Sequence, residues 1–220
     1  MESSWYREFA KRLIILWPLK SLGTTAFMTL FFWAYFTILN NPTQTPVVVP
    51  AIWLDHWIGF VPAAFPIYAS LWVYVSLPPA LMKDLRTLLL FGLWISLLCL
   101  FCLAIFWAFP TRTPDFGIDW NDYPGLAMIK GIDASGNACP SLHVASAVFS
   151  VFWLDRIFRE MNAPWLLRWI SAVHCIAIIW STIATLQHVA IDALSGAVVG
   201  LVFAAASLYP GRKRQGLTLA

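Results

Sequence analysis

Six stretches of this chain are apolar over nearly the length a membrane span requires, which excludes most folds before any motif is read. A helix needs about 20 predominantly apolar residues to cross a bilayer. The stretches are residues 21–40, 61–82, 88–109, 140–158, 165–187 and 188–209. Only 11% of the 220 residues are charged, against roughly 25% in ordinary soluble domains. The expected fold is therefore all-α: an integral membrane bundle of six transmembrane helices over residues 21–211. Residues 1–20 read as an interfacial amphipathic segment, because Trp5, Phe9, Leu13, Leu16 and Trp17 are interleaved with Arg7, Lys11 and Arg12. Residues 212–220 read as a basic cytoplasmic tail.

Details inside the stretches refine this. Pro66, Pro78 and Pro79 predict kinked ends for the second. The fourth loses its uncharged character after Leu154, so Asp155 and Arg156 belong near a membrane surface. The last two abut, and the chain must turn near residues 187–189. Basic residues concentrate on the cytoplasmic side. With both termini there, 12 of the 14 Lys and Arg residues fall inside, and only Arg112 and Lys130 remain outside. The C-x-x-C of Cys99 and Cys102 lies within an apolar span and reads as packing. Gly196, Gly200 and Ala204 form a small-residue stripe that lets helices approach closely.

Two stretches carry chemistry. The first is Cys139-Pro140-Ser141-Leu142-His143. Pro140 suits the first position of a helix, which puts Ser141 and His143 in a first turn whose free N–H groups can hold an anion. The second runs from Ser181 to Asp192 and contains His188. His188 and Asp192 are four apart, a spacing that shares one helix face. An acid inside an apolar run is costly unless paired, and a carboxylate on one imidazole nitrogen makes the other a better nucleophile or base. Arg112, at the outer end of the third stretch, can meet the same outer pocket. His174 reads as a packed or hydrogen-bonded span residue, and His56, beside Asp55, as a surface group. A nucleophile, an orienter, a second histidine and an anion site suit phosphoryl transfer, where positioning and charge stabilisation dominate.

Pro-Ser-x-His followed by Ser-x6-His-x3-Asp resembles the type 2 phosphatidic acid phosphatase family of six-span lipid phosphatases and phosphotransferases. The resemblance implies that His188 attacks phosphorus and becomes a phosphohistidine, that Asp192 orients it, and that His143 protonates the leaving oxygen. It implies phosphate contacts from Arg112, Ser141, Leu142, Ser181 and Thr182, and no metal or other cofactor. The expected partners are a lipid phosphate, phospholipid or isoprenoid, and the bilayer, with no nucleic acid. The expected location is the cell (inner) membrane, multi-pass, with the site facing the periplasm or other extracytoplasmic side.

The motif also departs from the family pattern. Ile105 stands where the family has a lysine, Thr113 separates Arg112 from Pro114, Leu142 replaces a glycine, and Thr182 replaces an arginine. Fewer cations favour a singly charged diester over a monoester. This leans toward the inositol phosphorylceramide synthase-like branch, which moves a head-group phosphate between lipids. Lys130 is the candidate to replace a lost cation. Two other classes compete: a non-catalytic lipid carrier, and a metal enzyme using His143, His188 and Asp192 as ligands.

Overall fold

The computed structural model describes residues 4–133 and 136–215. The end of the expected basic tail, residues 216–220, and the first three residues of the N-terminal segment lie outside them. The described chain is a helical bundle with one small strand pair. Helix α1 (Trp5–Ile14) precedes α2 (Trp17–Asn40). After a short strand β1 (Val47–Val48) come α3 (Trp53–Ile58), α4 (Phe65–Ala69), α5 (Leu71–Ala80) and α6 (Leu85–Ala108). Strand β2 (Thr111–Arg112) and α7 (Pro124–Asp133) lead to α8 (Leu142–Glu160), α9 (Trp165–Ala184) and α10 (Ala190–Gln215). Among the described residues, α2, α6, α9 and the 190–209 part of α10 are long and apolar enough to cross a membrane. This is a membrane protein of the all-α class.

Local chemistry explains where these helices start and stop. Asp84 caps α6 by accepting the Thr87 N–H at 2.8 Å. Asn162, in the left-handed region at φ 52°, ends α8. There the Ala163 N–H returns to the Phe158 carbonyl at 2.9 Å, satisfying a carbonyl the helix leaves open.

Helix α8 is the centre of the bundle and packs against α5, α6, α9 and α10. It is not among the four span-length apolar helices, because Asp155, Arg156, Arg159 and Glu160 occupy its last turns. Elsewhere much of it is covered by protein, with Phe149, Trp153 and Leu154 fully buried. The buried Trp153 indole donates to Ser207 Oγ at 3.1 Å. The small-residue stripe packs as expected: Gly196 lies against the Ser141 carbonyl, and a Cβ at Gly200 would stand 2.5 Å from the Ala145 carbonyl oxygen. Those glycines let α10 approach α8 closely enough to hold the two helix starts together.

Three expectations need correction. The 61–82 stretch is a 3₁₀ turn (Pro62–Ala64) followed by α4 and α5. Its break falls at Ser70, whose Oγ donates to the Ile67 carbonyl at 2.6 Å, while Pro78 and Pro79 stay within the last turn of α5. The amphipathic segment is a helix, yet its Arg12 is only 3% exposed. Arg12 binds Glu8 and reaches Glu160 of α8 at 3.6 Å, so α1 is pinned to the bundle by charge. Finally, β1 and β2 pair in parallel, Val47 with Thr111 and Val48 with Arg112, in loops where no strand was expected.

Candidate active site

The turn between α9 and α10 creates the site. Leu186 adopts a left-handed φ of 55°, a conformation costing a side-chain-bearing residue about 1–2 kcal/mol. The chain thereby folds back so that the Gln187 and His188 N–H groups donate to the Thr182 carbonyl at 3.1 and 3.2 Å. His188 is consequently a loop residue ahead of α10, not a member of its helical face as the spacing predicted. The turn itself falls where the sequence placed one, near residues 187–189. Asp192 still reaches it, because its Oδ2 accepts the Val189 N–H at 3.1 Å and caps the helix start. His188 Nδ1 stands 3.5 Å from that Oδ2, within ion-pair range.

The start of α8 also differs from the expectation. Pro140 follows a cis peptide bond and lies outside the helix; Ser141 is the N-cap and Leu142 the first helical residue. The Ser141 hydroxyl accepts the Val144 N–H at 3.3 Å, and its own N–H donates to the Asp192 carbonyl at 2.9 Å. Ser141 thus ties α8 to α10. Beside it, the Leu142 and His143 N–H groups have no hydrogen-bond acceptor among the described residues, the condition under which a helix start holds an anion.

His143 then meets His188. Its Nδ1 is 3.0 Å from His188 Nε2, and its Nε2 is 3.2 Å from the hydroxyl of Tyr68 on α4. One proton arrangement serves every contact. The Asp192 carboxylate keeps a proton on His188 Nδ1, which leaves Nε2 with its lone pair. His143 Nδ1–H donates to that lone pair, and the Tyr68 O–H donates to His143 Nε2. Asp192, His188, His143 and Tyr68 therefore form a line. Because Asp192 and His143 sit on opposite nitrogens of His188, the three do not converge on one point, and no metal-ligand cluster occurs among the described residues.

Tyr68 and Asp55 are missed by sequence reasoning. Tyr68 is fully buried within an apolar stretch, where a tyrosine looks like core. Asp55 is 5% exposed rather than on the surface. It accepts the Ala190 N–H at 2.7 Å and the Ile52 N–H at 2.8 Å, so α3 and α10 share one carboxylate. Neither carries a motif signal.

The remaining expected phosphate ligands fare differently. The Ser181 and Thr182 hydroxyls are buried and each donates to the Ile178 carbonyl at 2.8 Å, so Thr182 serves the site through its carbonyl instead. Lys130 is brought close: its Nζ donates to the Leu186 carbonyl at 2.6 Å, in the turn that carries His188. Its ammonium also lies 5.3 Å from the centre of the Trp120 ring. Arg112 is exposed in β2, and none of the site's hydrogen bonds includes its guanidinium. Its strand nevertheless touches the site, because the Cys139 N–H donates to Thr111 Oγ1 at 2.9 Å. Burial raises the Cys139 thiol above its ordinary pKa; the Ser195 hydrogen bond opposes this and the Asp192 charge adds to it. The raised pKa keeps the thiol form of the cysteine next to the site favoured.

The histidine pair opens on a cavity of about 870 Å³ with mainly apolar walls. The histidines thus lie at a helix start facing an apolar cavity in a membrane bundle. The chain belongs to the PAP2 superfamily, whose profile matches residues 42–206. No curated protein and no solved structure gives a match.

Proposed function

We propose that the protein is a membrane phosphatase or phosphotransferase acting on a lipid phosphate at the extracytoplasmic face through a phosphohistidine on His188. The observation that carries this reading is the line Asp192–His188–His143–Tyr68 at the mouth of an apolar cavity. The phosphate displaces His143 from His188 Nε2, whose lone pair attacks phosphorus. His143, protonated when the phosphate binds, gives that proton to the lipid oxygen as the bond from phosphorus to it breaks, and returns to its neutral form. Water or an alcohol then attacks the phosphohistidine, returns a proton to His143 and frees His188. The Leu142 and His143 N–H groups, Lys130 and Arg112 supply the positive charge. A radiolabelled lipid phosphate tests this: acid-labile, base-stable label is expected on the wild type and absent from His188→Ala. Label on another residue overturns the assignment. Impermeant labelling of cysteines introduced at Asp119 and Arg159 tests the side; reaction at the second alone in intact cells reverses it.

One observation favours head-group transfer as a second reading. The nearest ammonium, Lys130, is engaged by a backbone carbonyl, and Thr182 supplies no charge. A site with little free cation suits a diester better than a dianionic monoester. Purified protein offered monoesters and diesters, with and without acceptor alcohols, decides it. Diester transfer that survives Lys130→Ala supports this reading. Monoester hydrolysis alone, lost on Lys130→Ala, removes it.

A further inference from the structure

The cavity is far longer than a phosphate needs. From His143 and His188 it runs along α2, α5 and α6 as far as Lys20. The histidine end lies level with Phe32 of α2, since the Trp72 ring is 6.1 Å from His143 and 5.8 Å from Phe32. Helix α2 extends from Trp17 to Asn40, so its middle is near Met28. Lys20, 8 residues beyond that middle, marks roughly 12 Å of further depth at 1.5 Å per residue. Hydrocarbon in one leaflet fills only about half of a core some 30 Å thick. With the middle of α2 taken as the bilayer midplane, the cavity continues into the other half.

Its walls offer nothing to a second head group. Ser76 Oγ donates to the Trp72 carbonyl and Ser96 Oγ to the Gly92 carbonyl, both at 2.7 Å. At the far end Lys20 Nζ donates to the Arg12 and Ala80 carbonyls at 2.6 and 2.8 Å. These groups bond within the protein, and apart from the Thr24 hydroxyl the rest of the deep wall is mainly hydrocarbon. Two wall residues in this deeper half are glycines, Gly23 on α2 and Gly92 on α6. At neither would a Cβ meet an atom within 4 Å, and neither has a positive φ. Glycine inside a helix is about 1 kcal/mol worse than alanine. No turn or close helix approach requires it here; what both glycines provide is width.

We propose that this cavity measures the substrate's hydrocarbon chain: one chain of the lipid phosphate lies in it past the bilayer midplane, and Gly23 and Gly92 keep the deep half open for it. The proposal rests on the lipid phosphate reading above and adds a selection for chains longer than one leaflet is deep. It also commits the deep half to the substrate rather than to a second lipid.

The test uses the full-length chain in detergent micelles. Single-chain lipid monophosphates of increasing length are offered to wild type, Gly92→Phe and Gly23→Phe. Each methylene held in the cavity should strengthen binding, so displacing two or more should cost about tenfold. Wild-type kcat/KM is expected to keep rising beyond the length that reaches the midplane, and to level off once the chain reaches the Lys20 end. Each variant should lose about tenfold on the long chains while keeping wild-type rates on short ones, which also shows that it folds. Retention of the same lipids, read by native mass spectrometry, should follow the same pattern without needing turnover. A flat length profile, or equal losses at all lengths, overturns the proposal. Length-selective retention without turnover would leave the proposal standing and overturn the catalytic reading alone.

Discussion

The two ends of helix α8 handle charge in opposite ways. At its C-terminal end Glu160 faces three cations: Arg156 at 3.0 Å, and Arg12 and Lys83 at 3.6 Å. Asp155 meets Arg159 at 2.8 Å and Arg168 at 2.5 Å. Each carboxylate is answered by more than one positive partner. At the N-terminal end the balance is the reverse. Asp192 is fully buried, its Oδ1 has no hydrogen-bond partner among the described residues, and His188 Nδ1 has only a long contact. Buried polar atoms are normally satisfied, and an exception calls for an explanation. The saturated end gains nothing by moving and holds α1 and α9 to the core. On the proposed mechanism, the under-satisfied end keeps interaction free energy in reserve for the state in which His188 carries phosphate. Asp192 then faces an imidazole that needs it.

The most direct way to break this contrast is at the histidine. His188→Ala should abolish turnover while leaving the protein folded, because the turn is held by backbone hydrogen bonds to the Thr182 carbonyl rather than by the His188 side chain. Asp192→Asn should come next. It can still accept the Val189 N–H but cannot fix the His188 tautomer, a defect worth several powers of ten in the serine protease triad. A fall of about three powers of ten in kcat, with KM little changed, is expected; a fall under tenfold would show that Asp192 is only a helix cap. Tyr68→Phe removes one neutral hydrogen bond to His143. Such a bond is worth about 1 kcal/mol, so kcat should drop by about three- to tenfold. An unchanged kcat would remove Tyr68 from the line.

Much of this contrast could be read in advance from residue types, but not its geometry. The charges at the end of α8 announce themselves, because Asp155, Arg156, Arg159 and Glu160 interrupt an apolar stretch. His143, His188 and Asp192 stand out for the same reason. The close packing of α10 on α8 was legible in the spacing of Gly196 and Gly200. A turn near residues 187–189 was legible too, where two apolar stretches abut. That it frees His188 from α10 was not. This depends on Leu186 accepting a left-handed backbone, against its steric preference, and on hydrogen bonds to the Thr182 backbone carbonyl, which no side-chain pattern marks. Tyr68 escaped because burial alone does not distinguish a packing aromatic from one whose hydroxyl meets a histidine. Asp55 escaped because its partner, Ala190, is 135 residues away. Thr182 misled in the other direction: the motif position marks a side chain, and here the backbone carbonyl serves the site.

The smallest effect, and the one that sharpens the comparison from its other end, is expected from Glu160→Gln. Glutamine keeps the size and one acceptor oxygen but withdraws the negative charge from three cations. Two of the ion pairs have a partly exposed member, since the Lys83 and Arg156 side chains are 51% and 34% exposed, and exposed pairs contribute at most about 1 kcal/mol each. Arg12 is different. Its side chain is only 4% exposed, and without Glu160 it keeps Glu8 of its own helix but no anion on α8. Leaving a buried charge short of a partner outweighs what the pair itself contributes. The variant should therefore lose about 1–2 kcal/mol of stability, with α1 detaching first, seen as faster protease cleavage between α1 and α2. The substitution lies at the opposite end of α8 from His143, so kcat on short-chain lipids should stay within twofold of wild type. A large fall in kcat without loss of stability would mean that the two ends of α8 are coupled, and the division of labour drawn here would not hold.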